Sequence, residues 1–288
     1  MTQKSTSLFK PYTFKLGLIY LFSIAESCLE MMYPLAIGIA INGLINNQGM
    51  VSMLMLSLVW LSQALVGAIY PLLASRYAAT ILKDFTEKII QSHDSSLSES
   101  TLIARVDMVE KVCDSLVEVV PSLLSGMIGI VLSTFMLFIF SFESGFLALV
   151  LITIIGGLQV YYSRKASHLS EQINTHKESQ VNVFMKRQSA DIRAYISRLT
   201  KIKIKFNDIA TSVWAISDIV SLIVLLSLLV LIASMNQNDL GSIFAMVTYV
   251  MLLSDSLERA PILIEKIAHV YDVYERLSAS IIHQKHIV

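Results

Sequence analysis

The chain alternates between long apolar runs and long amphipathic segments. A helix that crosses the hydrocarbon core of a bilayer needs about 17–25 predominantly apolar residues. Six runs are of that length or longer: Leu16–Ile45, Val51–Ala74, Val117–Phe140, Phe146–Tyr162, Val213–Ser234 and Ile243–Leu263. The pattern therefore predicts an all-α membrane protein with six long transmembrane helices.

Three short polar links join the runs in pairs: NNQG (Asn46–Gly49), SFESG (Ser141–Gly145) and SMNQNDLGS (Ser234–Ser242). None of the links contains Lys or Arg, and all 22 basic residues lie in the tails, in the long segments between the hairpins or in the helices. Cytoplasmic loops carry an excess of Lys and Arg. We therefore expect both termini and both long segments to be cytoplasmic.

The two long segments between the hairpins, Ser75–Leu116 and Ser163–Ser212, are predicted to be helical. Neither contains Pro or Gly, and apolar residues recur at helical spacing, as at Tyr77, Ile81 and Phe85. A helix rises 1.5 Å per residue, so the helices that enter these segments must extend about 25–30 Å beyond a core about 30 Å thick. The sequence thus predicts transmembrane helices with cytoplasmic stalks.

The composition agrees with a membrane protein. Hydrophobic residues make up 55% of the chain and charged residues 15%, whereas soluble domains average about 45–50% and 25%. The cysteines, Cys28 and Cys113, have no metal-ligand spacing, so we expect free thiols and no metal site. The predicted organisation is a cytoplasmic tail over 1–15, a six-helix domain with stalks over 16–277, and a short tail over 278–288.

Two carboxylates interrupt the first apolar run. Glu26 and Glu30 are four residues apart, which places them on one face of a helix. An ionisable side chain at membrane depth costs several kcal/mol unless it faces the bundle interior or water. Both side chains are therefore expected to line a cavity.

Other charged residues fall at or near membrane depth, namely Arg76, Asp218, Asp255, Glu258 and Arg259. With the first-helix pair they make five carboxylates and two guanidinium groups. The functional interpretation is an electronegative cavity that selects cationic or amphipathic cargo, with proton transport as a further role. The structural alternative is that Glu26 or Glu30 pairs with Arg76 or Arg259 to hold helices together.

Three stretches carry a resemblance to a known family: Leu97–Val112, Ala215–Ser234 and Asn238–Leu277. The first resembles the start of the third helix, the second the fifth helix, and the third the Leu-Gly entry and closing run of the sixth helix in the transmembrane domain of ABC exporters. The resemblance implies that fold. It also implies a dimer or paired half-transporter with helices exchanged between the halves and a cavity on the two-fold axis. The bilayer, in the plasma membrane or bacterial inner membrane, is the expected environment, and no nucleic acid is expected as a partner.

The printed sequence departs from most such exporters because no nucleotide-binding domain follows the sixth helix. No Gly-x-x-x-x-Gly-Lys-Ser/Thr phosphate loop occurs, and none of the 11 glycines directly precedes a Lys. We therefore expect no enzymatic activity and no catalytic residues in this chain, with ATP and Mg²⁺ bound only through a partner subunit. By resemblance, such a subunit would dock on the turns at Ser92, His93 and Asp94 and at Ser189, Ala190 and Asp191.

Two alternatives to a subunit with a separate ATPase remain open. One is a proton-coupled secondary transporter, as in the similar family of antimicrobial-peptide uptake proteins, which look like exporter domains without the ATPase. The other is a membrane scaffold or regulator that kept the fold and lost transport.

Overall fold

The computed structural model describes residues 12–91, 99–178, 180–185, 188–234, 239–260 and 266. Nearly all of these residues are helical, and none lies in a β-strand. The helices are α1 (Thr13–Met31), α2 (Tyr33–Ile45), α3 (Gly49–Gln91), α4 (Glu99–Asp114), α5 (Val120–Phe140), α6 (Phe142–Glu178), α7 (Gln180–Met185), α8 (Ser189–Ser234) and α9, described over Leu240–Ala260. Six helical stretches are long and apolar enough to cross a membrane. The prediction of an all-α protein with six such helices is confirmed.

The predicted stalks are present as continuous helix. Helices α3, α6 and α8 have 43, 37 and 46 residues, more than twice the length that a span requires in the two longest cases. The apolar residues that predicted the stalk of α3 are buried at Ile81 and Phe85. The stalk of α3 therefore packs through the face that the periodicity indicated.

The first transmembrane stretch, which the sequence predicted as a single run over Leu16–Ile45, is broken at Met32. Pro34 has no N–H to donate to the carbonyl of Glu30, and the chain turns once before α2 begins. The hydroxyl of Tyr249, on α9, donates a 2.9 Å hydrogen bond to the carbonyl of Met31. A tyrosine of the last transmembrane stretch thus donates a hydrogen bond at the point where the first stretch is broken.

The third transmembrane stretch, Val109–Phe140, contains a π-turn at Ser115–Val119, between α4 and α5. The N–H of Val120 bonds to the carbonyl of Ser115, five residues back. If this i→i+5 pattern continued, the Leu116 carbonyl would accept a hydrogen bond from the N–H of residue 121. In a regular α-helix, the Val117 carbonyl would accept a hydrogen bond from that same N–H. Residue 121 is a proline, so both carbonyls need another donor.

The predicted link Ser141–Gly145 is shorter than the sequence suggested. Only Ser141 is non-helical, because its side chain caps α6 by accepting a 3.0 Å hydrogen bond from the N–H of Ser144. The first hairpin turns at Asn46–Gln48, where Asn47 takes a positive φ of 57°, a conformation that asparagine tolerates. We call the end of the bundle that carries these turns the link end, and the opposite end the stalk end.

Buried apolar side chains form two clusters at different heights. The link-end cluster joins α5, α6, α8 and α9, and the stalk-end cluster joins α1, α3 and the third transmembrane stretch. The link-end cluster consists of Leu137, Ala148, Leu151, Ile155, Val224, Leu228, Ile232, Ala245, Met246, Tyr249, Val250, Leu253 and Leu257. The stalk-end cluster consists of Tyr12, Leu16, Ile19, Ala74, Ile81, Phe85, Val109, Cys113 and Val117. Among the described helices, only the third stretch contributes to both clusters.

The start of α1 is fixed to the stalk of α3 by a polar contact. The hydroxyl of Tyr12 donates a 2.7 Å hydrogen bond to Oδ2 of Asp84. Burial and this bond raise the pKa of Tyr12 to about 12. The hydroxyl therefore stays protonated, and remains a donor, across the physiological pH range.

Helices α2 and α9 cross in close contact at two glycines. A β-carbon on Gly38 would lie 2.5 Å from the carbonyl oxygen of Gly241. The N–H of Gly241 donates a 2.8 Å hydrogen bond to Oδ1 of Asn42. Small residues let membrane helices approach backbone to backbone, and this crossing brings the last span against the first.

Candidate functional site

The two carboxylates of the first span lie beside α3. Glu26 is half-buried, and its Oε1 would be 2.8 Å from a β-carbon placed on Gly67. Glu30 is exposed on the surface of the chain. Next to the pair, the hydroxyl of Tyr33 donates a 2.8 Å hydrogen bond to Oε1 of Gln63. The first and second spans therefore present a polar strip at membrane depth.

A second charged group lies where α8 meets α9. Arg259 and Asp255 form an ion pair with a 3.0 Å Nε–Oδ1 distance. Glu258 is half-buried within electrostatic range of Asp218 and Asp255. It shares with Trp214 the wall of a cavity of about 290 Å³ between α6, α8 and α9. Four of the predicted site residues thus meet at one place.

The structure does not bring all the predicted residues into one site. Arg76 is exposed on α3. In the described part of the chain, neither Glu26 nor Glu30 forms an ion pair, and Arg259 binds Asp255 instead. The pairing of Glu26 or Glu30 with Arg76 or Arg259 therefore does not occur among the described residues of the chain.

The two predicted docking turns differ in what the structure describes. Ser92, His93 and Asp94 lie outside the described residues. The other three, Ser189, Ala190 and Asp191, form the first turn of α8 and are exposed. This turn stands at the tip of the stalk that α6 and α8 form together.

Aromatic packing holds that stalk tip in shape. The ring of Tyr195 is 6% exposed and meets the rings of His176, on α6, and Phe184, on α7, edge-on at centroid distances of 6.1 Å each. Edge-to-face contacts of this kind are favourable at 4.5–7 Å. One residue of each helix thus fixes α6, α7 and α8 together beneath the exposed turn.

A further cavity was not predicted from the sequence. It is a groove of about 710 Å³ between α3 and the third transmembrane stretch, at the stalk end, and we call it the stalk groove. Three carboxylates line it, from Glu110, Asp114 and Glu118, together with the hydroxyl-bearing side chains of Ser75 and Ser122. The i, i+4, i+8 spacing of the acids was a signal in the sequence, but the groove itself forms only when α3 packs alongside.

Two tyrosines complete the π-turn beside the stalk groove. The hydroxyl of Tyr20, on α1, donates a 3.2 Å hydrogen bond to the carbonyl of Leu116. The hydroxyl of Tyr70, on α3, donates a 3.1 Å bond to the carbonyl of Val117. These are the two carbonyls that Pro121 leaves without a helical donor.

We expect the double substitution Tyr20→Phe and Tyr70→Phe to lower the free energy of unfolding by about 2–6 kcal/mol, because each part-buried carbonyl left without a donor costs about 1–3 kcal/mol. Thermal unfolding in detergent measures the change. Tyr161→Phe, which removes an exposed hydroxyl from α6, is the matched control and should leave the melting temperature unchanged. Equal melting temperatures for the double variant and the control would contradict the capping role.

Comparison with known proteins identifies the architecture. The family described as ABC transporter transmembrane region matches residues 6–241, which is most of the chain. The chain belongs to this family. No curated protein matches the sequence.

As an ABC transporter transmembrane region, the chain is a multi-pass membrane protein of a transporter. The matched residues include Glu26, Glu30, Arg76 and Asp218. They end just after α9 begins, so the residues of α9 in the second charged group lie beyond the match. The resemblance of the sixth helix therefore stays a prediction for most of Asn238–Leu277.

Proposed function

We propose that this ABC transmembrane region moves a small cationic or amphipathic substrate across the membrane and is energised by a separate ATPase subunit. Membership in the family supports transport. The substrate class is inferred from the charges at membrane depth, and the energy source from the sequence and the stalks.

The main support for a cationic substrate is the excess of carboxylates that have no basic partner. Of the five acids at membrane depth, only Asp255 forms an ion pair within the described residues. Glu26, Glu30, Asp218 and Glu258 have no basic partner there. Carboxylates in such positions have to face water, a ligand or a partner chain. A cavity lined by them attracts cations and repels anions.

A separate ATPase subunit would supply the energy. The printed sequence has no phosphate loop, so ATP and Mg²⁺ would be bound by the partner. Its proposed docking points are the stalk turns, among them the exposed first turn of α8. We propose that two copies pair as a homodimer, because cyclic dimers are the commonest oligomers. The stalks and both termini would face the cytoplasm of a plasma membrane or bacterial inner membrane.

Affinity purification of the tagged chain from native membranes tests this proposal. We expect a soluble ATPase to co-purify in stoichiometric amount, and the substitution Ala190→Trp to reduce its recovery at least about tenfold by placing a bulky ring on the docking turn. Glu143→Gln, an exposed change at the link end, is the control and should recover the ATPase normally. A purified dimer without ATPase in every preparation would overturn the proposed energy source.

One observation favours proton coupling as a second candidate. Glu26 and Glu30 lie one helical turn apart with no basic partner among the described residues, and carboxylates at membrane depth are typical of proton pathways. An imposed pH gradient would then drive transport in vesicles that contain no ATPase. Substitution of both carboxylates by glutamine separates the two candidates.

A further inference from the structure

The cavity between α6, α8 and α9 brings two aromatic rings and one carboxylate together. Its volume is about 290 Å³, and its wall includes Tyr162 of α6, Trp214 of α8 and Glu258 of α9. Trp214 acts as a hydrogen-bond donor toward Glu258. An indole and a carboxylate from two different helices therefore interact within one wall, and we call this cavity the aromatic cage.

The charge around the aromatic cage is negative. Its lining contains no Lys, Arg or His among the described residues. The adjacent base on α9, Arg259, is bound to Asp255 at 3.0 Å. Asp218, one helical turn beyond Trp214, lies within electrostatic range of Glu258. The cage therefore attracts cations and repels anions.

Neither a metal ion nor an apolar molecule suits this lining. Mg²⁺ and Ca²⁺ bind about six or more oxygen ligands, whereas Glu258 is the one carboxylate that the described lining contributes. An apolar ligand would cover this carboxylate without replacing the hydrogen bonds of water, which is costly. A small organic cation offers apolar surface to the rings and charge to the carboxylate.

Hydrogen bonding selects among organic cations. Part of the acceptor capacity of Glu258 is already used by Trp214. A primary ammonium or a guanidinium group carries several N–H donors, and each needs an acceptor once water is removed. A quaternary ammonium group has no N–H, and its charge is attracted to the faces of Trp and Tyr rings. The cage therefore favours a cation without N–H donors.

The aromatic cage lies where the apolar runs meet the stalks. Tyr162 ends the apolar run of α6, and Trp214 lies at the start of the apolar run of α8. Trp and Tyr are common at the level of lipid headgroups, but that preference does not account for a carboxylate beside the indole. Trp214 is 58% exposed, so the cage opens outward. A ligand can place its charged group inside and leave the rest of its structure outside.

We propose that the aromatic cage binds a quaternary ammonium group, with the rings of Trp214 and Tyr162 against its methyl groups and Glu258 opposite its charge. The proposal rests on the proposed function and narrows its cationic substrate to one whose charged centre carries no N–H. The cage volume lies at the lower limit of the about 300–1,000 Å³ that ligand pockets occupy, which suits a single ammonium group. Free choline and the headgroup of phosphatidylcholine share this chemistry.

Tryptophan fluorescence reports directly on the aromatic cage. Trp60 and Trp214 are the two tryptophans of the chain, so Trp60→Phe leaves the indole of the cage as the reporter. In the purified full chain in maltoside detergent, without ATP, we expect choline to change this fluorescence saturably. Dimethylbutanol, in which carbon replaces the charged nitrogen of choline, and ethanolamine, a primary ammonium, should bind at least about tenfold more weakly. This comparison requires no substitution in the cage, and choline binding no tighter than that of dimethylbutanol would overturn the proposal.

Equilibrium dialysis with radiolabelled choline tests the individual residues. Glu258→Gln keeps an acceptor for Trp214 but removes the charge, and should weaken binding at least about tenfold. Trp214→Leu should weaken it as much, and Trp214→Phe less, because phenylalanine keeps a ring. Asp208→Asn removes an exposed carboxylate of α8 that does not line the cage, and should bind choline as the wild type does. Equal affinities of folded Glu258→Gln and Asp208→Asn, as judged by size-exclusion chromatography, would overturn the role of the carboxylate and with it the cage.

Soluble short-chain lipids distinguish the two sources of the ammonium group. Tighter binding of dihexanoylphosphatidylcholine than of choline assigns the cage to a lipid headgroup, and equal or weaker binding assigns it to a free compound. Where the choline lipid binds, dihexanoylphosphatidylethanolamine, which lacks the methyl groups, should bind at least about tenfold more weakly. Equally tight binding of the two lipids would overturn the assignment to a quaternary ammonium group.

Separate results would overturn this proposal and the proposed function. Selective choline binding in preparations that never recover an ATPase supports the cage and contradicts the proposed energy source. Recovery of the ATPase without selective choline binding supports the proposed energy source and overturns the cage.

Discussion

Gly241→Leu will yield little or no folded protein. A side chain at this position would collide with the carbonyl oxygen of Gly38 and the side chain of Asn42, and a backbone neighbour cannot move aside as a flexible side chain can. Overpacking of a core typically costs about 1–3 kcal/mol. We expect this variant to lose at least the upper value of that range, because it separates α9 from α2 and breaks the 2.8 Å hydrogen bond to Asn42. Size-exclusion chromatography of the detergent-solubilised protein measures the monodisperse fraction.

Gly156→Ala is the matched control for this substitution. No atom lies within 4 Å of a β-carbon at Gly156, so the alanine variant should remain monodisperse, and α-helical propensity should even favour it by about 1 kcal/mol. Normal folding of Gly241→Leu would mean that α2 and α9 do not cross at their glycines.

The double substitution Glu26→Gln and Glu30→Gln should lower the transport rate of a lipophilic cation at least about tenfold. Glutamine keeps the size and hydrogen-bonding capacity of each side chain but removes the charge that attracts the cation and the proton that it could carry. A tenfold loss corresponds to about 1.4 kcal/mol of lost stabilisation. Uptake of radiolabelled tetraphenylphosphonium into membrane vesicles, with ATP and the co-purified ATPase present, measures the rate.

The single change Glu143→Gln, at the exposed link end, controls for charge removal as such and should transport normally. Repetition of the assay without ATP, under an imposed pH gradient, separates the two candidate functions. A wild-type rate that needs ATP supports the ATPase-driven transporter, and a gradient-driven rate that the double variant loses supports proton coupling. Intact transport in the double variant would contradict a role for either carboxylate.

The overall fold could be predicted because membrane insertion leaves a strong one-dimensional signal. Each span is a long and predominantly apolar run, and the long segments between hairpins contain no Pro or Gly. The details at Pro34 and Pro121 needed the structure. A proline shows that a carbonyl has lost its donor, but not whether the helix will break, as at Met32, or take in an extra residue, as at Ser115–Val119. That outcome depends on which tyrosines reach the carbonyls from other helices.

The candidate site could be predicted only in part. Glu26 and Glu30 were visible because charge is rare inside an apolar run. The stalk groove was not, since Glu110, Asp114 and Glu118 lie in a segment where charge is common and become a wall only beside α3. The Gly241–Asn42 contact joins residues 199 positions apart, a pairing that no local pattern specifies.

The π-turn has a consequence for how the two ends of the third transmembrane stretch are aligned. One residue corresponds to about 100° of rotation around an α-helix, so the extra residue accommodated at Ser115–Val119 sets the angular phase between the apolar face at the link end and the acidic face at the stalk end. If the turn relaxed to regular α-helix, Glu110 and Asp114 would rotate around the helix axis while the link-end cluster stayed in place. This stretch contributes to both clusters. A local change from π-helical to α-helical geometry within it would therefore change which side chains face outward along its stalk.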